Sequence, residues 1–263
     1  MTDCLQSHII VKMRAVTTIL IILLLSCSPE EQQQVHRNRF LESLRPASEI
    51  GVLTRLTQDG RALFPAFGPE DSIVFFKMLL VTDPETAAGR ETEDIVKPYG
   101  VDVASKGLYT LSADYPYPER SSRQTSDIQH GVGENVVRAL EAPDGKTIAY
   151  ETTVGRNKDS HTIYLIKGDS VVQLTYGDLP CFLDRFSSTG RYLSAVCGRD
   201  PTWIIIFDLE SGRVYIVDRV EDRLDYMTAF SSDDRMMAFI RSEKKYSMGL
   251  DFFGDIWLFR FRD

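Results

Sequence analysis

Histidine and cysteine are scarce in this chain, a positive charge excess is absent, and no apolar run is long. Four histidines and four cysteines occur in 263 residues. None of the histidines, at positions 8, 36, 130 and 161, pairs with another at metal-ligand spacing, and no cysteine pair has zinc spacing. Lys and Arg number 30 against 38 Asp and Glu, a net charge of −8. That balance supplies no field to attract nucleic acid or an anionic membrane surface. The longest apolar block, residues 15–26, falls short of the roughly 20 residues a spanning helix needs, which excludes a polytopic membrane protein. No phosphate-cradling or dinucleotide fingerprint occurs. Ser247 stands in Lys245-Tyr246-Ser247-Met248-Gly249, which lacks the first Gly of a nucleophile elbow and is followed by too little chain for a hydrolase domain. His130 and His161 read as ordinary loop residues. The expectation is therefore a chain with no catalytic residue, no metal and no cofactor.

What is present begins with an address. Residues 1–26 read as a secretory signal: Lys12 and Arg14 precede the apolar block, which ends in Leu24-Leu25-Ser26-Cys27. That ending resembles the bacterial lipobox. The resemblance implies acylation of Cys27, cleavage before it, and, with Ser28 following, an outer-membrane destination. Two or more acyl chains suffice for stable attachment. Residues 27–49 carry Glu30-Glu31-Gln32-Gln33-Gln34 and read as a polar tether, with weak helical spacing over Val35–Leu44.

From residue 50 to 263 the chain repeats. Four segments align: Phe67 to Phe75, Glu141 to Tyr150, Phe186 to Ala195 and Phe230 to Phe239. Their turns fall at 71, 145, 190 and 234, with spacings of 74, 45 and 44 residues. A four-stranded propeller blade takes about 40–45 residues, so the first interval is a blade plus an insertion. Pro143-Asp144-Gly145 predicts a tight hairpin turn: Pro sets φ, Asp bonds nearby backbone, and Gly accepts positive φ. Aromatic and β-branched third strands follow, such as Ile163–Ile166, Trp203–Phe207 and Ile256–Phe259. Fourth strands follow these, such as Arg123–Thr125, Val171–Thr175 and Val214–Val217.

Pro143-Asp144-Gly145-Lys146-Thr147-Ile148-Ala149-Tyr150, then Ile163-Tyr164-Leu165, then Gln173-Leu174-Thr175 resembles the TolB-type WD-like propeller repeat. The resemblance implies an all-β fold, a small β-propeller of about four four-stranded blades. The last repeat stops after its third strand, and Val52–Thr57 reads as a fourth strand whose Leu56-Thr57 repeats the Leu174-Thr175 ending. An N-terminal strand would thus complete the last blade; the alternative is a truncated or open array whose missing blades lie elsewhere.

Three further features complete the reading. Residues 80–106 read as a polar loop inserted before the third strand of the first blade, at Leu108–Leu111. Tyr115 and Tyr117, in Tyr115-Pro116-Tyr117-Pro118, form a candidate contact patch. Placing Phe186 opposite Tyr192 puts Cys181 opposite Cys197, which leaves a disulfide and a pair of small buried thiols as alternatives. The functional expectation is a lipid-anchored module of the bacterial cell envelope that binds an envelope protein or peptide without catalysis. Its membrane contact would be through the anchor alone. The alternatives are an accessory propeller of a peptidase or a propeller lyase.

Overall fold

Each repeat folds around its turn. In the second repeat the Asp144 carboxylate accepts from the Lys146 and Thr147 amides, both at 2.8 Å, while Gly145 sits at φ +64°. The Ala142 amide then closes the hairpin onto the Thr147 carbonyl at 2.8 Å. The fourth repeat lacks Pro and Gly yet closes in the same way. Asp233 accepts from the Arg235 amide at 3.0 Å, and Asp234 takes the left-handed position at φ 58°. Asp tolerates that conformation better than most residues because its short side chain bonds locally. The turn thus survives the loss of its Pro and Gly because the side-chain cap is kept.

The computed structural model describes residues 39–58, 60–79, 96–111, 135–154, 160–176, 179–243 and 254–262. Two strands come first, β1 (Arg45–Pro46) and β2 (Gly51–Arg55). Blade 1 is β3 (Ala62–Phe67), β4 (Ile73–Leu79), β5 (Val96–Asp102) and β6 (Leu108–Thr110). Blade 2 is β7 (Val136–Glu141), β8 (Thr147–Val154), β9 (Ser160–Lys167) and β10 (Ser170–Gln173). Blade 3 is β11 (Cys181–Phe186), β12 (Tyr192–Gly198), β13 (Thr202–Asp208) and β14 (Arg213–Ile216). Blade 4 is β15 (Arg223–Phe230), β16 (Met236–Glu243), β17 (Asp255–Phe261) and, from the N-terminal side, β2. The strands within each blade pair antiparallel, and one parallel bridge, Thr202 with Leu224, joins blades 3 and 4. The chain is an all-β propeller.

β2 lies antiparallel on β17, from Trp257 opposite Arg55 to Phe261 opposite Gly51. Gly51 is required there, because a Cβ would stand 2.2 Å from the Phe259 ring. The repeated Leu-Thr ending has a physical role. The Leu174 amide bonds the Ile163 carbonyl at 2.8 Å, and the Thr175 hydroxyl accepts the Ile163 amide at 2.9 Å. In blade 4 the Leu56 amide bonds the Ile256 carbonyl at 2.8 Å, and the Thr57 hydroxyl accepts the Ile256 amide at 2.9 Å. The Thr caps the third strand where the fourth leaves it.

Three expectations are corrected. The stretch 80–106 is not all loop: Val96–Asp102 is the third strand of blade 1, and Leu108–Thr110 is its fourth. Pro98 is tolerated because its missing donor faces β6. The Pro98 carbonyl accepts the Leu111 amide on that side at 3.1 Å, one residue beyond the end of the three-residue strand. Gly100 lies where a Cβ would meet Ile73 at 2.9 Å, so this glycine marks close packing rather than a turn. Residues 80–95 and the expected fourth strand at 123–125 lie outside the described residues.

The polar tether ends earlier than expected. Residues 39–43 are helical, Phe40 is 5% exposed and Ala47 is fully buried, so the chain from 39 onward docks on blade 3. The register differs as well. Phe186 faces Leu193, not Tyr192, and a bulge between Leu183 and Arg185 restores the opposition of Cys181 and Cys197.

The core is divided among the joints between blades. One apolar cluster joins blades 2 and 3 through Leu140, Ile163, Leu183 and Leu193. A second joins blades 3 and 4 through Ile204, Tyr215, Phe239 and Phe259. The third joins blades 4 and 1 through Leu63, Phe76, Ile240 and Leu258. Among the described residues no such cluster joins blade 1 with blade 2.

Candidate functional site

The buried polar side chains are the first place to look for chemistry, because burying them costs free energy unless they are bonded. Several of them meet at the bulged first strands of blades 3 and 4, where they bond across a joint. Glu151 of β8 accepts the Leu183 amide of β11 at 2.8 Å. Arg138 of β7 donates to the Leu183 and Asp184 carbonyls at 2.5 and 2.9 Å. Asp184 in turn accepts from the amide and hydroxyl of Thr228 in β15, at 2.7 and 2.5 Å. A bulge leaves backbone groups without ladder partners. In each case a side chain of the preceding blade supplies the partner.

The hairpin turns are fastened blade to blade as well. Asp234 accepts from the Ser187 hydroxyl at 2.6 Å and from the Thr189 hydroxyl, joining blades 3 and 4. Asp71 accepts from the amide and hydroxyl of Ser232 at 2.8 and 2.5 Å, joining blades 4 and 1. Between blades 2 and 3 the contact is apolar, since a Cβ on Gly190 would stand 3.3 Å from Pro143.

Two ionic groups stand apart. Arg241 grips Asp225 with two bonds of 2.6 and 2.7 Å, reaches Asp218 at 2.9 Å, and lies over the Trp257 ring at 4.9 Å. Burial pushes the Asp225 carboxyl above the ordinary carboxylate range, against the pull of Arg241. Desolvation works against the Arg241 charge, but its two carboxylate partners outweigh it and raise the guanidinium further. Such a pair is costly to break and contributes little net stability when whole. The second group is His161, whose Nδ1 is 2.6 Å from the Glu151 carboxylate, with the Phe182 ring 4.5 Å away. His161 lies on β9 opposite Thr153, not in a loop as its sequence context led us to expect.

The surface feature of a different kind is a groove of about 490 Å³ between the outer strands of blades 2 and 3. Phe40 and the residues of β10 and β14 form its walls, with Leu165, Leu174 and Val214 contributing apolar surface. The docked N-terminal segment covers one side, where β1 runs parallel to β14 with Arg45 opposite Tyr215. On the other side β10 is the last strand of its sheet. Val171 and Val172, on opposite faces of β10, are 60% and 50% exposed. Asp208 is the one carboxylate lining the groove, and it is engaged. Burial works to raise its pKa, but the Ser211 and Glu210 amides and the Arg191 guanidinium outweigh that and hold it below the ordinary range.

The structure places Cys181 opposite Cys197 and joins them, with Cα atoms 4.1 Å apart and both residues fully buried in the joint between blades 2 and 3. Cys27, Tyr115, Tyr117, His130 and Ser247 lie outside the described residues. Among the described residues no group of three or more His, Cys, Asp or Glu is placed to hold a metal ion, and no helix is long and apolar enough to cross a membrane. Sequence reading missed the groove, because its walls come from three distant segments. The signal available was the weak apolar spacing over Val35–Leu44, which includes Phe40.

No family model matches the chain, and no curated protein matches it. Among solved structures, a protein assigned as TolB from Agrobacterium tumefaciens is similar at 16% identity and a TM-score of 0.37, over 79% of this chain and 64% of that one. TolB from Acinetobacter baumannii is similar at 17% identity and a TM-score of 0.30, over 79% and 45%. The β-propeller domain of Myceliophteria thermophila Cps50 (Swd1) is similar at 9% identity and a TM-score of 0.33, over 76% and 50%. The chain thus spans less than two thirds of the length of each of these structures. At such values they carry no functional correspondence, and the propeller architecture rests on the strand pairing itself.

Proposed function

We propose that this chain is a lipid-anchored β-propeller of the bacterial cell envelope that binds another protein or a peptide and does no chemistry of its own. The observation that carries the reading is the groove between blades 2 and 3 beside the uncharged edge of β10, which pairs with no further strand among the described residues. Apolar surface next to unpaired strand backbone is what protein partners use. The buried carboxylates Glu151, Asp184 and Asp234 each bond a neighbouring blade and serve its packing. The address rests on the positive flank at Lys12 and Arg14, the apolar block and Cys27. An accessory propeller of a peptidase remains the second reading, and its partner would be the peptidase chain.

Scanning photocrosslinking of the full chain in a bacterial envelope tests the binding reading. A photoreactive phenylalanine analogue is placed in turn at Val52, Leu108, Lys146 and Val172, all exposed. The expected result is a discrete protein adduct at one position or more, identified by mass spectrometry. The absence of an adduct at every position would overturn the reading. Fatty-acid labelling tests the anchor: Cys27→Ala is expected to lose the label, and equal labelling would remove the lipoprotein part.

A further inference from the structure

We propose that β10 takes up an extended, acidic peptide segment by strand addition, with one apolar side chain of that segment seated in the groove. This rests on the binding reading above and specifies the chemistry of the partner. The Leu174 amide bonds the Ile163 carbonyl on the β9 side. Antiparallel alternation therefore turns the N–H and C=O of Val171 and Gln173 away from β9, toward the open edge. Native proteins blunt such edges with charge, proline or covering chain. β10 reads Ser-Val-Val-Gln, with neither charge nor proline.

The neighbouring blade shows that an added strand fits this rim. On β14 the equivalent edge is occupied by β1, two residues of the same chain lying parallel. The helical residues just before β1 supply Arg39, Phe40 and Ser43 to the groove wall, so this segment already flanks the side opposite β10. The groove stands between a filled edge and one that carries no strand among the described residues.

Charge selects the occupant. Arg39 and Arg213 line the groove, and neither makes an ion pair among the described residues. Asp208 is held by Arg191 at 3.5 Å and by the Glu210 and Ser211 amides at 3.1 and 3.2 Å. A chain of net charge −8 thus presents a local positive rim beside an apolar slot. Side chains of an added strand alternate between faces. The face over Val172 would carry an apolar residue into the slot and an acidic residue two positions away, against the arginines. The other face would cover Val171. The recognised pattern is therefore apolar, any residue, acidic.

The test titrates the full chain with fluorescein-labelled peptides: Thr-Val-Thr-Glu-Thr, its Thr-Val-Thr-Lys-Thr counterpart, and a backbone N-methylated form of the first. The Glu peptide is expected to bind roughly tenfold more tightly than the Lys peptide, with an advantage that shrinks as salt is raised. The N-methylated form should lose binding by a similar factor, because strand addition needs its amides. Val171→Pro removes an outward N–H and should weaken binding roughly tenfold without changing the melting midpoint, and Arg213→Glu should reverse the charge preference. Equal binding of the Glu and Lys peptides, or undiminished binding of the N-methylated form, would overturn the proposal. The N-methylated peptide needs no altered protein, so that arm survives a variant that fails to fold. If crosslinks form only at Val52, Leu108 or Lys146 and the peptides fail to bind, this inference falls and the binding reading stands. If no adduct forms anywhere, the binding reading itself fails.

Discussion

Blades 2 and 3 stand side by side with the same strand order, yet their outer edges are finished differently. On blade 3 the edge of β14 carries β1, and the segment leading to it buries Phe40 and Ala47. On blade 2 the edge of β10 carries nothing among the described residues, and both of its valines are half exposed or more. The joint between the two blades is otherwise well fastened, by an apolar cluster, the Glu151 and Arg138 bonds and the Cys181–Cys197 bridge nearby. The difference therefore lies at the rim and not in the core. An edge can be left open where the interior does not depend on it.

The largest effect is expected from removing the strand that completes blade 4. Deleting residues 50–58 strips β2 from β17 and exposes Trp257 and Phe259 beside unpaired backbone. Loss of a cooperative unfolding transition, or insolubility, is the expected outcome in a thermal melt. A variant that melts as the parent does would show that blade 4 stands without its N-terminal strand.

Next comes the cover on blade 3. Phe40→Ala should cost about 3 kcal/mol of stability, read as a lower denaturant midpoint, because a 5%-exposed aromatic is lost from the wall of the groove. Val172→Ala, on the open side, should shift the midpoint little. Equal shifts for the two would erase the distinction between the filled edge and the empty one. The sequence alone led us to expect no stability contribution from residues 28–48; the burial of Phe40 and Ala47 now makes the part from 39 onward destabilising to delete.

The smallest effect is acidic. The amides of Lys146 and Thr147 hold the Asp144 carboxyl below its ordinary value of 3.8, and the Arg235 amide does the same for Asp233. A carboxyl depressed in the folded state adds stability above the unfolded value and loses it as pH falls through the folded one. Stability should therefore decline as pH drops below 3.8. Asp144→Asn, which keeps the acceptor and removes the charge, should show a shallower decline in denaturant midpoints measured across that range. Asp225 works in the opposite sense, since its carboxyl is raised by burial. An unchanged slope for Asp144→Asn would show that the turn carboxylate is not linked to folding.

How much of this was legible in the sequence depends on range. Pro143-Asp144-Gly145 announced a hairpin because every bond it makes is within a few residues. The Leu-Thr ending was visible as a repeat, and it pointed correctly to β2 as the fourth strand of blade 4. What was hidden needed partners from elsewhere. Pro98 and Gly100 read as loop residues until the short β6 and the close approach of Ile73 made them fit a strand. The bulges shifted the Phe186 register by one residue, which no local pattern records. The candidate site was the least legible part. Phe40 was legible only as part of the weak helical spacing over Val35–Leu44, and its wall partners Leu165, Leu174 and Val214 lie more than a hundred residues away.

Amide hydrogen exchange on the free chain tests the contrast between the two edges most directly. Alternation along β14 turns the Ile216 amide toward β1, whereas the Val171 and Gln173 amides of β10 face outward. Exchange at Val171 and Gln173 should be fast, as for unprotected backbone, while Ile216 exchanges only when the N-terminal segment lifts away. The Phe40→Ala variant should speed Ile216 and leave Val171 unchanged. Slow exchange at Val171 and Gln173 in the free chain would mean that the edge of β10 is already covered, and the account would be wrong.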